Sequence, residues 1–220
     1  MHGVAPQMCG RVASPLLEEQ RRATLLVNVG VTPRELNEWG ALVGRLAGDY
    51  WQVPALVGIE RVPAADEMKH FGAALASYGS VALFHVVGML APSHMAHRHG
   101  VGESDIRAFQ RSYLEAVDTV DLVVFSAPQL SLFEIGQIAG MLEGRRASIP
   151  LFVVTSPQVK GDADRMGLTA RIEAAGGSVL SGMCFYQSYR RWRRRTAGGS
   201  WRPIRPSSST SSAATVISRC

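Results

Sequence analysis

Cysteine is scarce in this chain of 220 residues: Cys9, Cys184 and Cys220 are odd in number and far apart, which suits a reducing compartment, the cytoplasm, better than a disulfide framework. No CxxC pair marks a local thiolate site. Long apolar runs are also missing. The best one, VALFHVVGMLA, is interrupted by His85 and too short to cross a bilayer, and MHGVAPQMCGRVAS has no apolar core of signal-peptide length, so no membrane partner is expected. No repeat of fixed period is present. Acidic residues are absent from residues 190–220, which hold eight arginines; residues 1–189 carry 15 basic and 18 acidic residues, a balance of −3, although the whole chain is +5. A nucleic-acid partner argued from charge would therefore rest on the tail alone.

What is present is enough apolar material for a buried core, at 46% hydrophobic and 19% charged residues. Short β-branched runs alternate with longer amphipathic stretches. TLLVNV (24–29), VPALVGI (53–59), VALFHVVG (81–88), DLVVFS (121–126), PLFVVTS (150–156) and SVLSGMCF (178–185) predict buried strands. Helix starts are marked by capping boxes at Thr32-Pro33-Arg34-Glu35 and Ser131-Leu132-Phe133-Glu134. A helical stretch over Asp162–Ala175 stops at Gly176-Gly177. This alternation predicts an α/β fold with a mostly parallel sheet and flanking helices.

Ligands of such sheets bind beyond the carboxyl ends of the strands. His85, Ser126 to Ser131, Thr155-Ser156 and Cys184 all fall at such ends, and would converge if the strands lie parallel and adjacent. Each also has a plainer reading. Cys184 is either a small buried packing residue or a ligand of a metal or iron-sulfur cluster. Thr155-Ser156-Pro157 is either a simple helix cap or a hydroxyl and amide cradle for a carboxylate or phosphate. His85 is either a core histidine or a site group. His94, His97 and His99 in HMAHRHG predict a solvated loop, because no neighbouring acid or thiol completes a metal shell.

Four blocks together resemble the aconitase X family, iron-dependent hydro-lyases related to aconitase: LVGRLAGDYWQVPALVGIE, MKHFGAALASYGSVALFHVVGM, DLVVFSAPQLSLFEIGQIAGMLEGRR and IPLFVVTSPQVKGDADRMGLTARIEAAGGSVLSGMCFYQSY. The likeness spans residues 25–189, after a poorly assigned 1–24, and implies part of an aconitase-like catalytic domain. It implies dehydration of a small hydroxy acid such as cis-3-hydroxy-L-proline or 5-phosphomevalonate, with iron or an iron-sulfur cluster as Lewis acid. It implies Cys184 as a cluster ligand, Thr155 and Ser156 as the first two residues of a TSR motif, and a small domain or subunit as partner; His85 joins Thr155 and Ser156 as a substrate-binding candidate from its place near a strand end. Ala127-Pro128-Gln129 stands where the family commonly has Cys or Ser followed by Pro-His, and Pro157 stands where it has the TSR arginine.

The resemblance also bears on the tail. Family members continue after this point with segments like MAEANGW and SNSAKLVNIIGGYGY. IRPSSSTSSAATVISRC can be back-translated so that the overlapping frame reads NSAKLVNIIGGYGYQPL, and WRRRTAG so that it reads MAEANGW. Residues 190–220 are therefore expected to be a frameshift product, disordered by composition, and the chain an inactive fragment. The competing expectation is a non-enzymatic protein that binds nucleic acid through this basic arm, with a steep salt dependence.

Overall fold

The computed structural model describes residues 23–29, 36–59, 61–86, 97–112, 120, 122–183, 185, 201–204 and 214–219. Where the sequence points to one catalytic domain over 25–189, the chain divides into two compact units, Met1–Ser112 and Tyr113–Cys220, each with its own sheet and core.

The first unit is built on four parallel strands in the order β3-β2-β1-β4: β1 (Leu25–Val29), β2 (Pro54–Val57), β3 (His85–Val86) and β4 (His97–Val101). Alternation along β1 sends Leu25, Val27 and Val29 into the main core and Leu26 to the opposite face with Ala23 and Ala55. Helices α1 (Leu36–Ala47), α2 (Ala65–Gly79) and α3 (Glu103–Arg111) complete the unit. Trp39 and Val43 of α1 meet Phe71 and Leu75 of α2 in the main core, to which α3 adds Ile106. The α1–α2 approach is set by glycine: a Cβ on Gly40 would lie 2.4 Å from Phe71 O, on Gly44 2.7 Å from Leu75 O, and on Gly79 2.0 Å from Gly44 O. At the outer edge of this pair the Arg45 guanidinium stacks on Tyr78 and Phe109, 5.1 and 5.0 Å from the ring centres.

The start expected for α1 at Thr32–Glu35 and the residue His94 lie outside the described residues. The solvated loop expected over HMAHRHG differs from what is found, because His97–Val101 forms β4 and pairs with β1 from Leu25↔His97 to Val29↔Val101. As an outer strand with β1 on one side, β4 does not need the apolar alternation by which the other strands are recognised.

The second unit has the strand order β7-β6-β5-β9-β8. β5 (Leu122–Leu130), β6 (Leu151–Thr155) and β7 (Gly177–Ser181) are parallel; β9 (Ala214–Arg219) runs antiparallel to β5, and β8 (Trp201–Ile204) antiparallel to β9. These ten residues of the tail are thus paired strands, in contrast to the disorder expected of it, because β5 offers a row of backbone donors and acceptors that any extended segment can meet. Helices α4 (Leu132–Met141), α5 (Pro157–Arg165) and α6 (Leu168–Ala174) share a core with Phe125, Leu151, Val153 and Val179 of the sheet, through Ile135, Ile138, Ala163 and Ile172. The opposite sheet face carries Leu122, Val124, Val154 and Phe185. The single helix expected over Asp162–Ala175 is two helices, broken at Gly167, whose φ of +71° is the left-handed conformation that glycine adopts without a Cβ penalty.

Candidate functional site

The candidate site is the carboxyl edge of β5 and β6, where two helices begin side by side. Register pairs Leu130 with Thr155, so Ser131 and Ser156 follow one another's neighbours directly and cap α4 and α5 from adjacent strands. Thr155 is fully buried, and its hydroxyl donates to Leu130 O at 2.5 Å, tying the two strand ends together. Ser156 Oγ accepts the Val159 N–H at 3.2 Å, which leaves the serine O–H as a donor. Pro157 at the first helical position brings no N–H, so Gln158 holds the remaining first-turn N–H without an acceptor in register within the helix.

The two helix starts differ electrostatically. At α4, Ser131 Oγ accepts the Glu134 N–H at 3.2 Å while Glu134 Oε2 accepts the Ser131 N–H at 2.7 Å, the reciprocal box read from the sequence. Glu134 is itself buried, so a carboxylate already faces the positive end of that helix. The first turn of α5 has no acidic residue, so beyond the neutral Ser156 cap no carboxylate of its own balances its positive end. An anion is favoured at α5 rather than at α4. This asymmetry was open to sequence reading in the difference between SLFE and SPQV, although the burial of Glu134 was not.

Between Phe125 and Leu130 the β5–β6 register slips, and Ser126–Gln129 bulge from the sheet around a cis Ala127–Pro128 bond. Ser126 is buried, and its Oγ has no hydrogen-bond partner among the described residues. Ala127 and Gln129 are exposed. The edge therefore presents hydroxyls and amides.

The expected convergence is divided by the fold. Thr155, Ser156 and the Ser126–Ser131 segment do meet at one edge, whereas His85 belongs to the other unit's sheet, where it is half-buried and pairs with Ala55 at the start of β3. Cys184 lies outside the described residues, between Met183 and the buried Phe185. Among the described residues no three of His, Cys, Asp and Glu come together as a metal-holding group, and no helix is long and apolar enough to cross a membrane.

Comparison with known proteins agrees with this division. Residues 23–117 match the aconitase X second domain and residues 120–197 the aconitase X third domain. The chain is 35% identical over 191 residues to the phosphomevalonate dehydratase large subunit of Methanothermobacter thermautotrophicus, covering 82% of this chain and 47% of that protein. It is 33% identical over 187 residues to the cis-3-hydroxy-L-proline dehydratase of Pseudomonas aeruginosa, covering 77% of this chain and 32% of that one. The crystal structure of holo-form aconitase X from Thermococcus kodakaraensis superposes with a TM-score of 0.72 at 29% identity, over 83% of this chain and 50% of that structure. The chain thus spans half or less of the length of these relatives.

Proposed function

This chain belongs to the aconitase X family, and on that footing we propose that it is part of a hydro-lyase that dehydrates a small hydroxy acid of the kind of 5-phosphomevalonate or cis-3-hydroxy-L-proline. The observation that carries the reading is that relatives named as dehydratases match through both units, including the edge where an anion is favoured.

In this reading the substrate carboxylate sits at the start of α5. Ser156 donates its O–H, the Gln158 N–H adds a second donor, and the helix end supplies a fixed positive potential that needs no reorganisation. Thr155 acts by position: its bond to Leu130 O holds the α5 start against β5, so the donors keep one spacing. Fixed placement of this kind is what turns a bound acid into one oriented for loss of water.

The iron or iron-sulfur group implied by the family supplies, when bound, Lewis-acid assistance to the departing hydroxyl. The described residues do not fit such a group, since hydroxyls and amides at this edge are not the thiolate donors it takes. Cys184 would need further thiolates from segments that the relatives possess and this chain does not span, with a small subunit or domain as an additional partner. We therefore read the chain as inactive alone, and residues 190–220 as the product of a shifted frame.

Two experiments test this. The gene's nucleotides are expected to encode NSAKLVNIIGGYGYQPL in the overlapping frame; stop codons or an unrelated peptide there would refute the shift. Assayed for dehydration by proton NMR, the 220-residue chain is expected to turn over neither acid, and the frame-restored, full-length protein with its small partner to turn over one of them. Activity of the short chain, or inertness of the restored one towards both, would overturn the reading.

A further inference from the structure

The outer edge of β5 is a second feature of the sheet, unrelated to the anion-favouring end. With β6 on one side only, a strand running Leu122–Leu130 would present every other N–H and C=O to solvent beside buried Leu122, Val124 and Phe125. That edge is taken by β9, with Leu122↔Ile217, Val123↔Val216, Val124↔Thr215 and Phe125↔Ala214 in antiparallel register. β8 then pairs outside β9, from Trp201↔Arg219 to Ile204↔Val216. Over Leu122–Phe125, the regular half of β5 before its register slip, the free edge is moved outward to the four-residue β8. Pro203, opposite Ile217, removes a backbone donor from that last strand. Short length and proline are two of the means by which sheets keep an edge from pairing with another chain.

We propose that the C-terminal hairpin is an edge cap, which occupies β5 in cis and keeps this unit from pairing through β5 with a second copy of the chain. The occupant that replaces it is β5 of that second copy, because two identical strands pair antiparallel about a twofold axis and close the edge of both. The inference does not depend on the frame from which residues 190–220 derive, since a ladder is made of backbone groups.

The test uses the full chain and the variant T215P/V216P, which removes two adjacent N–H groups from β9, so that at least one donor to β5 is lost whichever way the strand faces. Mass by light scattering is read over a concentration series, with amide exchange at Leu122 and Val124, whose N–H groups face β9 because that of Val123 donates to Pro150 O on the β6 side. The unaltered chain is expected to have the mass of one copy and slowed exchange at β5. The variant, with native circular dichroism, is expected to move to the mass of two copies as concentration rises. A variant that keeps its dichroism and the mass of one copy at every concentration overturns the proposal. If the variant loses its dichroism, exchange in the unaltered chain decides: Leu122 and Val124 amides exchanging as fast as those of an unpaired peptide show that nothing caps the edge, and slowed exchange at both upholds the cap.

Discussion

Replacing Gly79 by alanine would put a methyl carbon 2.0 Å from Gly44 O, a distance that only backbone movement can relieve. Two packed helices cannot separate at one point without disturbing Trp39, Phe71 and Leu75 beside it, so G79A is expected to cost ~1–3 kcal/mol in a denaturant titration. S156A removes the cap of α5 and is expected to cost ~1 kcal/mol. S156D keeps the cap but adds a negative charge, so in the restored enzyme it should leave stability near that of the parent and raise KM for the acid. Equal effects of the two changes on KM would remove the anion from this position. Both serine caps could be read directly from SLFE and from SPQV, because a cap is local and needs only a hydroxyl before a helix. The bond from Thr155 to Leu130 could not, since it joins residues 25 apart through a strand register that no local pattern specifies.

Elements were legible in proportion to their burial. β1, β2, β5, β6 and β7 are flanked by core on their inner face and announce themselves as apolar runs. β4 is an outer strand with His97, Arg98 and His99 in its sequence, and its place beside β1 appears only when the sheet is assembled. The division of the expected Asp162–Ala175 helix was similarly obscure, because glycine is tolerated inside helices and only the φ of Gly167 marks a break. A Cβ there would meet nothing within 4 Å, so G167A tests conformation alone and is expected to cost about 1 kcal/mol. Across this break the Asp164 carboxyl is held below its usual range by the Thr169 side chain near it and by the Lys160 ammonium, which donates to its two oxygens at 2.9 and 3.0 Å. A lowered carboxyl contributes stability at pH above its ordinary value, and that contribution is lost as pH falls through the folded value. Carbon-detected NMR should place the Asp164 midpoint below that of a free aspartate, and K160M should move it upward.

At the scale of the whole molecule, two cores without shared residues predict two unfolding events. Calorimetry is expected to give a total enthalpy larger than the van't Hoff value of either step; a single two-state transition would contradict this. The class of fold followed from the sequence because alternating strands and helices admit few arrangements. The number of sheets did not, since six strands in a row fit one sheet as well as two, and for that reason His85 was grouped with residues of a different unit.

The break at Gly167 offers a practical opening. Met166 beside it is 62% exposed, the space around Gly167 is empty, and both sit at the end of α5 away from Ser156. A fluorophore or a short affinity tag attached between these helices would leave the capped edge untouched, giving a reporter through which ligand arrival at the far end of α5 can be followed optically.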